Sequence, residues 1–297
     1  MPDDKPRLGR LVVIGSRGQL GQALMTKVPY AIGLARDELD LSRSNLGKHL
    51  LDTLQPFGEI SGIINAAAYT AVDKAEIELD LAMRVNSLAP GSIAEYCETQ
   101  NIPLVHISTD YVFSGDANQP YQPFHQTSPI NFYGRSKLGG ETEIGKTKAT
   151  CAILRTSWVF DGINKNFLTT MLRLADTRPT LSVVSDQIGR PTYTVDLAKA
   201  ALRAIEVLKR DSSKGGLYHI SNCGQPISWA EFANAIFEIS GVKTKVEPIS
   251  TEDYPTPAER PAYSVLDLSD FERAFDFTMP SWRDALSRAL QARSDIL

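Results

Sequence analysis

Leu11-Val12-Val13-Ile14 are four consecutive apolar residues ended by Gly15. An unbroken apolar run closed by glycine predicts a strand buried on both faces. Gln19 to Val28 has helical spacing, and Tyr30 to Leu34 reads as a second short strand. The alternation continues. Leu46 to Leu54 predicts a helix, Ile60 to Ile64 a strand ending at Asn65, and Leu81 to Gln100 one helix. Ile102 to Ile107 predicts a fourth strand running into Ser108. A helix carrying Tyr133 and Lys137 follows, then a fifth strand over Cys151 to Arg155. Strands without polar alternation, separated by helices at short intervals, predict an α/β fold with a Rossmann-type doubly wound parallel sheet. Ligands of such sheets lie outside the carboxyl ends of the strands.

After about residue 155 the rhythm loosens. Pro179, Gly189, Pro191, Gly215, Gly216 and Pro226 punctuate the chain, and a Pro-rich segment spans Pro248 to Pro261. We expect a Rossmann domain over 1–155, with later segments near 180–210 returning to it. Residues 156–297 are expected to form mainly a smaller, substrate-binding C-terminal domain. Trp282 to Ala292 predicts a terminal helix.

The chain has 297 residues and a formal net charge of −4. A nucleic-acid partner would call for a basic excess, so none is expected. An anionic ligand is compatible, because local Arg side chains or backbone N–H groups can hold it. Cys97, Cys151 and Cys223 are far apart and form no CxxC pair, which fits a reducing, cytoplasmic location. The stretch Met1 to Arg10 is polar and charged, unlike a secretory signal. No apolar run approaches the roughly 20 residues a membrane span needs, so no membrane partner is expected.

Gly15-Ser16-Arg17-Gly18-Gln19-Leu20-Gly21 joins the first strand to the first helix with GxxGxxG spacing. Glycines there permit a tight turn and let backbone N–H groups approach a pyrophosphate at a helix N-terminus. This makes the first domain a candidate NAD(P)-binding domain. Arg36 and Asp37 follow the second strand, where an acid favours NAD and an arginine NADP. Arg17 is a second planar donor able to reach a 2′-phosphate. We expect NADPH, with NADH also accepted; the competing reading of both arginines is solvated surface charge.

Tyr133 and Lys137 form a YxxxK pair, and residues four apart share one face of a helix. A phenol ionises near pH ~10, so it relays protons poorly at neutral pH unless a nearby ammonium stabilises the phenolate. The pair then suits proton donation to a carbonyl as hydride arrives. Ser108-Thr109-Asp110 ends the fourth strand and brings hydroxyls toward the same carbonyl. Ala66-Ala67-Ala68 follows the third strand, and its small side chains allow a flat ligand close. Each signal has a plain structural alternative, but they fall on successive strand ends.

These residues resemble the extended short-chain dehydrogenase/reductase superfamily, and more closely the dTDP-4-dehydrorhamnose reductase family. The resemblance rests on 65–76 (NAAAYTAVDKAE), 108–113 (STDYVF), 155–160 (RTSWVF), 186–192 (DQIGRPT) and 254–261 (YPTPAERP). It implies reduction of the 4-keto group of dTDP-4-dehydro-L-rhamnose to dTDP-L-rhamnose, a sugar donor for surface polysaccharide. It implies Thr109, Tyr133 and Lys137 as the catalytic triad, with Lys137 also on the nicotinamide ribose. Gly18, Gln19 and Leu20 would line the pyrophosphate, Asp40 and Leu41 the adenosine, and Ala66 to Ala68 its ribose. Asp110 and Trp158 would contact the sugar nucleotide, and Gln187 joins the substrate set. Arg190 and Arg260 would hold the diphosphate as bidentate donors. Some family members are described as magnesium-bridged dimers. Two bridging positions align near Ala23 and Val195, which cannot ligate a hard cation. We therefore expect no metal and a monomer or weak homodimer. Two other readings compete: a silent regulatory subunit like the methionine adenosyltransferase beta type, or a reductase of another 4-keto nucleotide sugar.

Overall fold

The structure, a computed structural model, describes residues 9–295. The polar stretch before residue 9 lies outside the described residues. The early strands are β1 (Leu11–Ile14), β2 (Ile32–Leu34), β3 (Gly62–Asn65), β4 (Leu104–Thr109) and β5 (Cys151–Thr156). Of the later strands β6 (Thr180–Val184), β7 (Gly216–His219) and β8 (Lys245–Ile249), the middle one rejoins the sheet beside β5. The result is a parallel sheet in the order β7-β5-β4-β3-β1-β2. The order reverses between β1 and β3, which creates a crevice at their carboxyl ends.

Both faces of this sheet are covered, which explains the unbroken apolar runs. Leu11 and Val13 face helices α1 (Gln19–Lys27) and, from later in the chain, 194–210. Val12 and Ile14 face α2 (Leu46–Leu54) and the helical run α3 (79–100). Adjacent residues of one strand thus enter opposite cores. Strand starts differ slightly from expectation. Ile102 and Pro103 precede β4; Pro103 has no N–H for a ladder, although its carbonyl accepts Ile63 N at 3.0 Å.

The run 79–100 was expected as one regular helix from Leu81. It starts at Leu79 and contains a π turn over Arg84–Leu88. Pro90 supplies a reason: it cannot donate the i→i−4 bond to Asn86, so the preceding turn widens. The Asn86 side chain then holds both backbone groups of Tyr69 (2.8 and 2.9 Å) and donates to Ser136 Oγ at 3.0 Å. Ser136 lies on helix α4 (Phe132–Gly145), so the π turn braces the helix that carries the chemistry.

The C-terminal half contributes to three cores, one of them through Leu266 and Leu268 beside Val112 and Phe113. Helices α5 (Phe167–Ala175), α7 (Trp229–Ser240) and α9 (Trp282–Ser294) surround a separate apolar cluster with the parallel pair β6–β8. Helix α6 (Thr194–Arg210) instead packs on the large sheet through Leu197, Ala198, Ala201 and Ile205, and α8 (Ser269–Phe275) joins the same cluster. No helix among the described residues is long and apolar enough to cross a membrane.

Candidate active site

A cleft of about 890 Å³ opens over the ends of β1, β3 and β4. At its floor, Gly15 has φ +83°, and a Cβ there would meet the Ala67 backbone at 2.7 Å. Gly18 starts α1 with no side-chain cap, so the first N–H groups of that helix are left for another acceptor. An uncapped helix start facing a crevice suits a phosphate. Gln19, Leu20, Ala66, Ala67, Ala68, Asp40 and Leu41 also line the cleft. Gly21, grouped with them on sequence, does not. Its Cβ would stand 2.1 Å from Gly15 O, so this glycine lets α1 pack onto the turn.

Two arginines flank this end. Arg17 Nη2 reaches Asp37 at 2.9 Å, and Arg36 Nε lies 4.0 Å from Asp40. Their side chains are 69 % and 78 % exposed. Exposed pairs of this kind are worth about 0–1 kcal/mol, so either guanidinium can turn to an anionic ligand at little cost.

The opposite end holds the proton chemistry. Asn131 caps α4 by accepting from Gly134 N at 2.8 Å, and Phe132 N donates to Glu76 Oε1 at 2.7 Å. Gly134 is required because a Cβ would stand 2.1 Å from Tyr111 O. This seats α4 on the turn after β4 and brings Tyr133 to Thr109. The Thr109 hydroxyl accepts Tyr111 N at 3.2 Å and donates to Asp110 Oδ1 at 3.0 Å, and it lies beside the Tyr133 phenol, whose ionisation it influences. Burial pushes the Tyr133 phenol up to about 12, with Thr109 pulling it down and Asp110 pushing it further up. Lys137 is buried, and burial brings its ammonium down to about 8 against the pull of Glu141. Its Nζ donates to Ile107 O at 2.6 Å. Burial thus acts on the phenol in the sense opposite to the lysine's expected effect, and Lys137 Nζ is bonded to β4 rather than to Tyr133.

Asp110 is buried in the cleft wall, and its Oδ2 makes no hydrogen bond of ordinary geometry. Burial raises its carboxyl from 3.8 to about 7, with Ser264 and Thr109 opposing. The folded chain therefore favours the neutral acid. Stability from this group is full below pH ~4 and is lost as pH rises through about 7. Asp110→Asn removes the ionisation and keeps the shape. Its melting temperature relative to the parent is expected to rise by a few degrees between pH 4 and pH 8; a constant difference across that range would contradict the assignment.

Trp158 lines the same cleft with a left-handed backbone, φ +47°. That conformation disfavours a bulky residue, so packing must hold it. Its ring stacks on Trp229 at 3.5 Å and 8°, and a Cβ on Gly189 would lie 2.6 Å from it. Trp229 was not singled out on sequence. The capping box Ser228-Trp229-Ala230-Glu231 was readable there and would have placed this tryptophan at a helix start.

Gln187, Arg190 and Arg260 do not line the cleft. Gln187 Nε2 donates to Thr251 Oγ1 at 3.1 Å. Arg190 Nη1 donates to Leu266 O at 3.1 Å, and its buried Nε has no partner. Arg260 makes a two-pronged bond to Asp73 at 2.6 and 2.8 Å. Asn131 Nδ2 donates to Glu259 O at 2.7 Å, tying the Pro-rich loop to the start of α4. Among the described residues, no group of three or more His, Cys, Asp or Glu gathers as for a metal.

The family model for the RmlD substrate binding domain matches residues 9–294. The spore coat polysaccharide biosynthesis protein SpsK of Bacillus subtilis is 41% identical over 96% of this chain and 98% of its own. The dTDP-4-dehydrorhamnose reductase of Sinorhizobium fredii is 40% identical over 95% of this chain and 97% of its own. A Bacillus anthracis dTDP-4-dehydrorhamnose reductase, solved in complex with NADP, superposes with a TM-score of 0.87 at 37% identity. It covers 95% of this chain and 99% of its own.

Proposed function

Because the chain belongs to the dTDP-4-dehydrorhamnose reductase family, we propose that it reduces the 4-keto group of dTDP-4-dehydro-L-rhamnose to dTDP-L-rhamnose with NADPH. The observation that carries this reading is Tyr133, half-buried beside Thr109, facing a cleft whose far end is a glycine turn and an uncapped helix. Gly15, Gly18, Gln19 and Leu20 hold the cofactor pyrophosphate, Asp40 and Leu41 lie by the adenosine, and Lys137 holds the nicotinamide ribose. When bound, the cofactor supplies hydride to the sugar carbon. Tyr133 donates its proton to the C4 oxygen, and Thr109 bonds the same oxygen and orients it. A phenol kept protonated by burial is in the right form for a donor. Asp110 and the Trp158 face contact the sugar. Arg260 and Arg190 reach a diphosphate after leaving Asp73 and Leu266, which makes them the costlier part of the assignment.

The sheet half, with α6 and β7, serves the cofactor, and the α5–α7–α9 cluster serves the sugar. The acidic charge balance supports a small-molecule partner rather than nucleic acid. Ala23 and Val195 offer no ligand for a magnesium bridge, which supports a monomer or weak homodimer.

Loss of absorbance near ~340 nm, where reduced nicotinamide absorbs, is expected on mixing protein, NADPH and the keto sugar nucleotide. Cofactor binding without oxidation would favour a regulatory subunit instead. For the cofactor end, Arg17→Ala and Arg36→Ala are each expected to raise KM for NADPH about 3–30-fold, as expected for one charge-assisted contact, with KM for NADH little changed. An unchanged NADPH/NADH ratio in both would remove the arginines from the 2′-phosphate.

A further inference from the structure

His106 lies inside β4, fully buried, two residues before the strand-end hydroxyls. Lone buried histidines in strands usually serve the core, but this one touches the lysine of the proposed site. Its Nε2 stands 3.4 Å from Lys137 Nζ, and its Nδ1 stands 3.1 Å from Asn65 Nδ2. Burial holds the imidazole neutral, with the Lys137 charge adding to the effect. A neutral ring carries one N–H, and the neighbours decide where.

Asn65 decides it. Its Oδ1 accepts Ala67 N at 3.2 Å, which fixes which way the amide points. The amide therefore presents NH₂ to His106 Nδ1. A nitrogen that accepts from an amide carries a lone pair, so the ring proton sits on Nε2 and points toward Lys137. The lysine ammonium then meets a donor on that side and is left with the Ile107 carbonyl as its acceptor on β4. We propose that His106, locked by Asn65 with its proton on Nε2, is a positioning residue that directs Lys137 Nζ onto Ile107 O and weakens the lysine's hold on its proton. The inference rests on the role given to Lys137 above.

The other groups facing Lys137 do not substitute for this control. Glu141, one turn along α4, is engaged by Arg155 of β5 at 2.6 Å and by Ser108 of β4 at 2.5 Å. The Tyr133 phenol lies beside Thr109 and makes no hydrogen bond to Lys137. The position of the His106 proton is therefore the adjustable element around Nζ. Turning an acceptor toward Nζ in its place stabilises the ammonium, on which grip of the ribose depends, and extends activity to higher pH.

The test is a nitrogen-15 spectrum of the four imidazoles in the full-length protein, with His106 assigned through His106→Gln. The expected result is an unprotonated Nδ1, a protonated Nε2 and no titration from pH 5 to 9. A proton on Nδ1 would overturn the proposal. Two variants carry the functional readout. His106→Gln can turn its carbonyl to Lys137, and Asn65→Asp draws the ring proton to Nδ1 and leaves the Nε2 lone pair facing the ammonium. Each is expected to move the alkaline pKa of kcat up by about one unit, while His106→Asn, too short to reach Nζ, moves it less. Unmoved profiles in both active variants would overturn the proposal as well; if neither variant folds, the spectrum of the parent decides. The spectrum needs no substrate, so failure to reduce the sugar nucleotide would sink the proposed reaction and leave the His106 assignment to be judged separately.

Discussion

Tyr133→Phe is expected to lower kcat by about 10²–10⁴-fold, the range for loss of a positioned general acid, with the dissociation constant for NADPH changed less than about threefold. Both halves of that expectation come from the local structure. The phenol lines the cleft beside Thr109 and carries a transferable proton toward it. The ring itself packs edge-on against Tyr111, with centroids 5.6 Å apart, and phenylalanine preserves that contact. The fold and the cofactor end should therefore survive the change. Stopped-flow traces with saturating sugar nucleotide would separate the chemical step from release. A variant retaining more than about a third of parental turnover would remove Tyr133 from the donor role.

Glu141→Ala is expected to destabilise the fold by about 3–5 kcal/mol, the usual cost of stripping one partner from a buried ion pair. Arg155 and Glu141 are 3 % and 7 % exposed. Glu141 accepts Arg155 Nε at 2.9 Å and Nη2 at 2.6 Å, and Ser108 Oγ at 2.5 Å. Arg155 also donates to Pro123 O and lies 5.0 Å from the Phe113 ring centroid. Without the carboxylate, a guanidinium remains charged in the interior with one carbonyl and one aromatic face for company. At roughly 2.1 cal/mol/K of unfolding entropy per residue, the loss corresponds to a melting temperature lower by roughly 5–8 °C. The double change Glu141→Leu with Arg155→Met should recover part of it, because apolar residues of similar volume replace such pairs well. A single variant within about 1 °C of the parent would show that water already reaches this pair. The surface pair Arg17–Asp37 gives the contrast: its removal should leave the melt unchanged within about 1 °C.

The parallel sheet was legible because burial on both faces leaves a plain signature, four or more apolar residues in a row, as at Leu11 to Ile14. The glycine turn was legible because Gly15 sits where a side chain would strike Ala67. Tyr133 and Lys137 were legible because a helix puts them one turn apart. What failed to show has equally specific causes. Gly21 looks like its two companions in sequence, and separating its packing role requires the Gly15 carbonyl in space. Pro90 signals a break inside a long helix, but the apolar spacing continues through it and masks the π turn that precedes it. Gln187, Arg190 and Arg260 depend on irregular chain in the C-terminal half. There no periodicity says which way a side chain points, and all three are bonded to protein partners rather than to the cleft. His106 carried no signal at all, since one histidine in an apolar strand reads as core until Asn65 and Lys137 are placed beside it.

The central claim is that hydride reaches C4 of the sugar while Tyr133 protonates its oxygen. Reduced cofactor carrying deuterium on its transferable position tests it in one reaction. Proton NMR of the isolated dTDP-L-rhamnose should show deuterium at C4 and nowhere else, and Tyr133→Phe should give almost no labelled product in the same time. Unlabelled product, label at another carbon, or a fully active Tyr133→Phe would contradict the account.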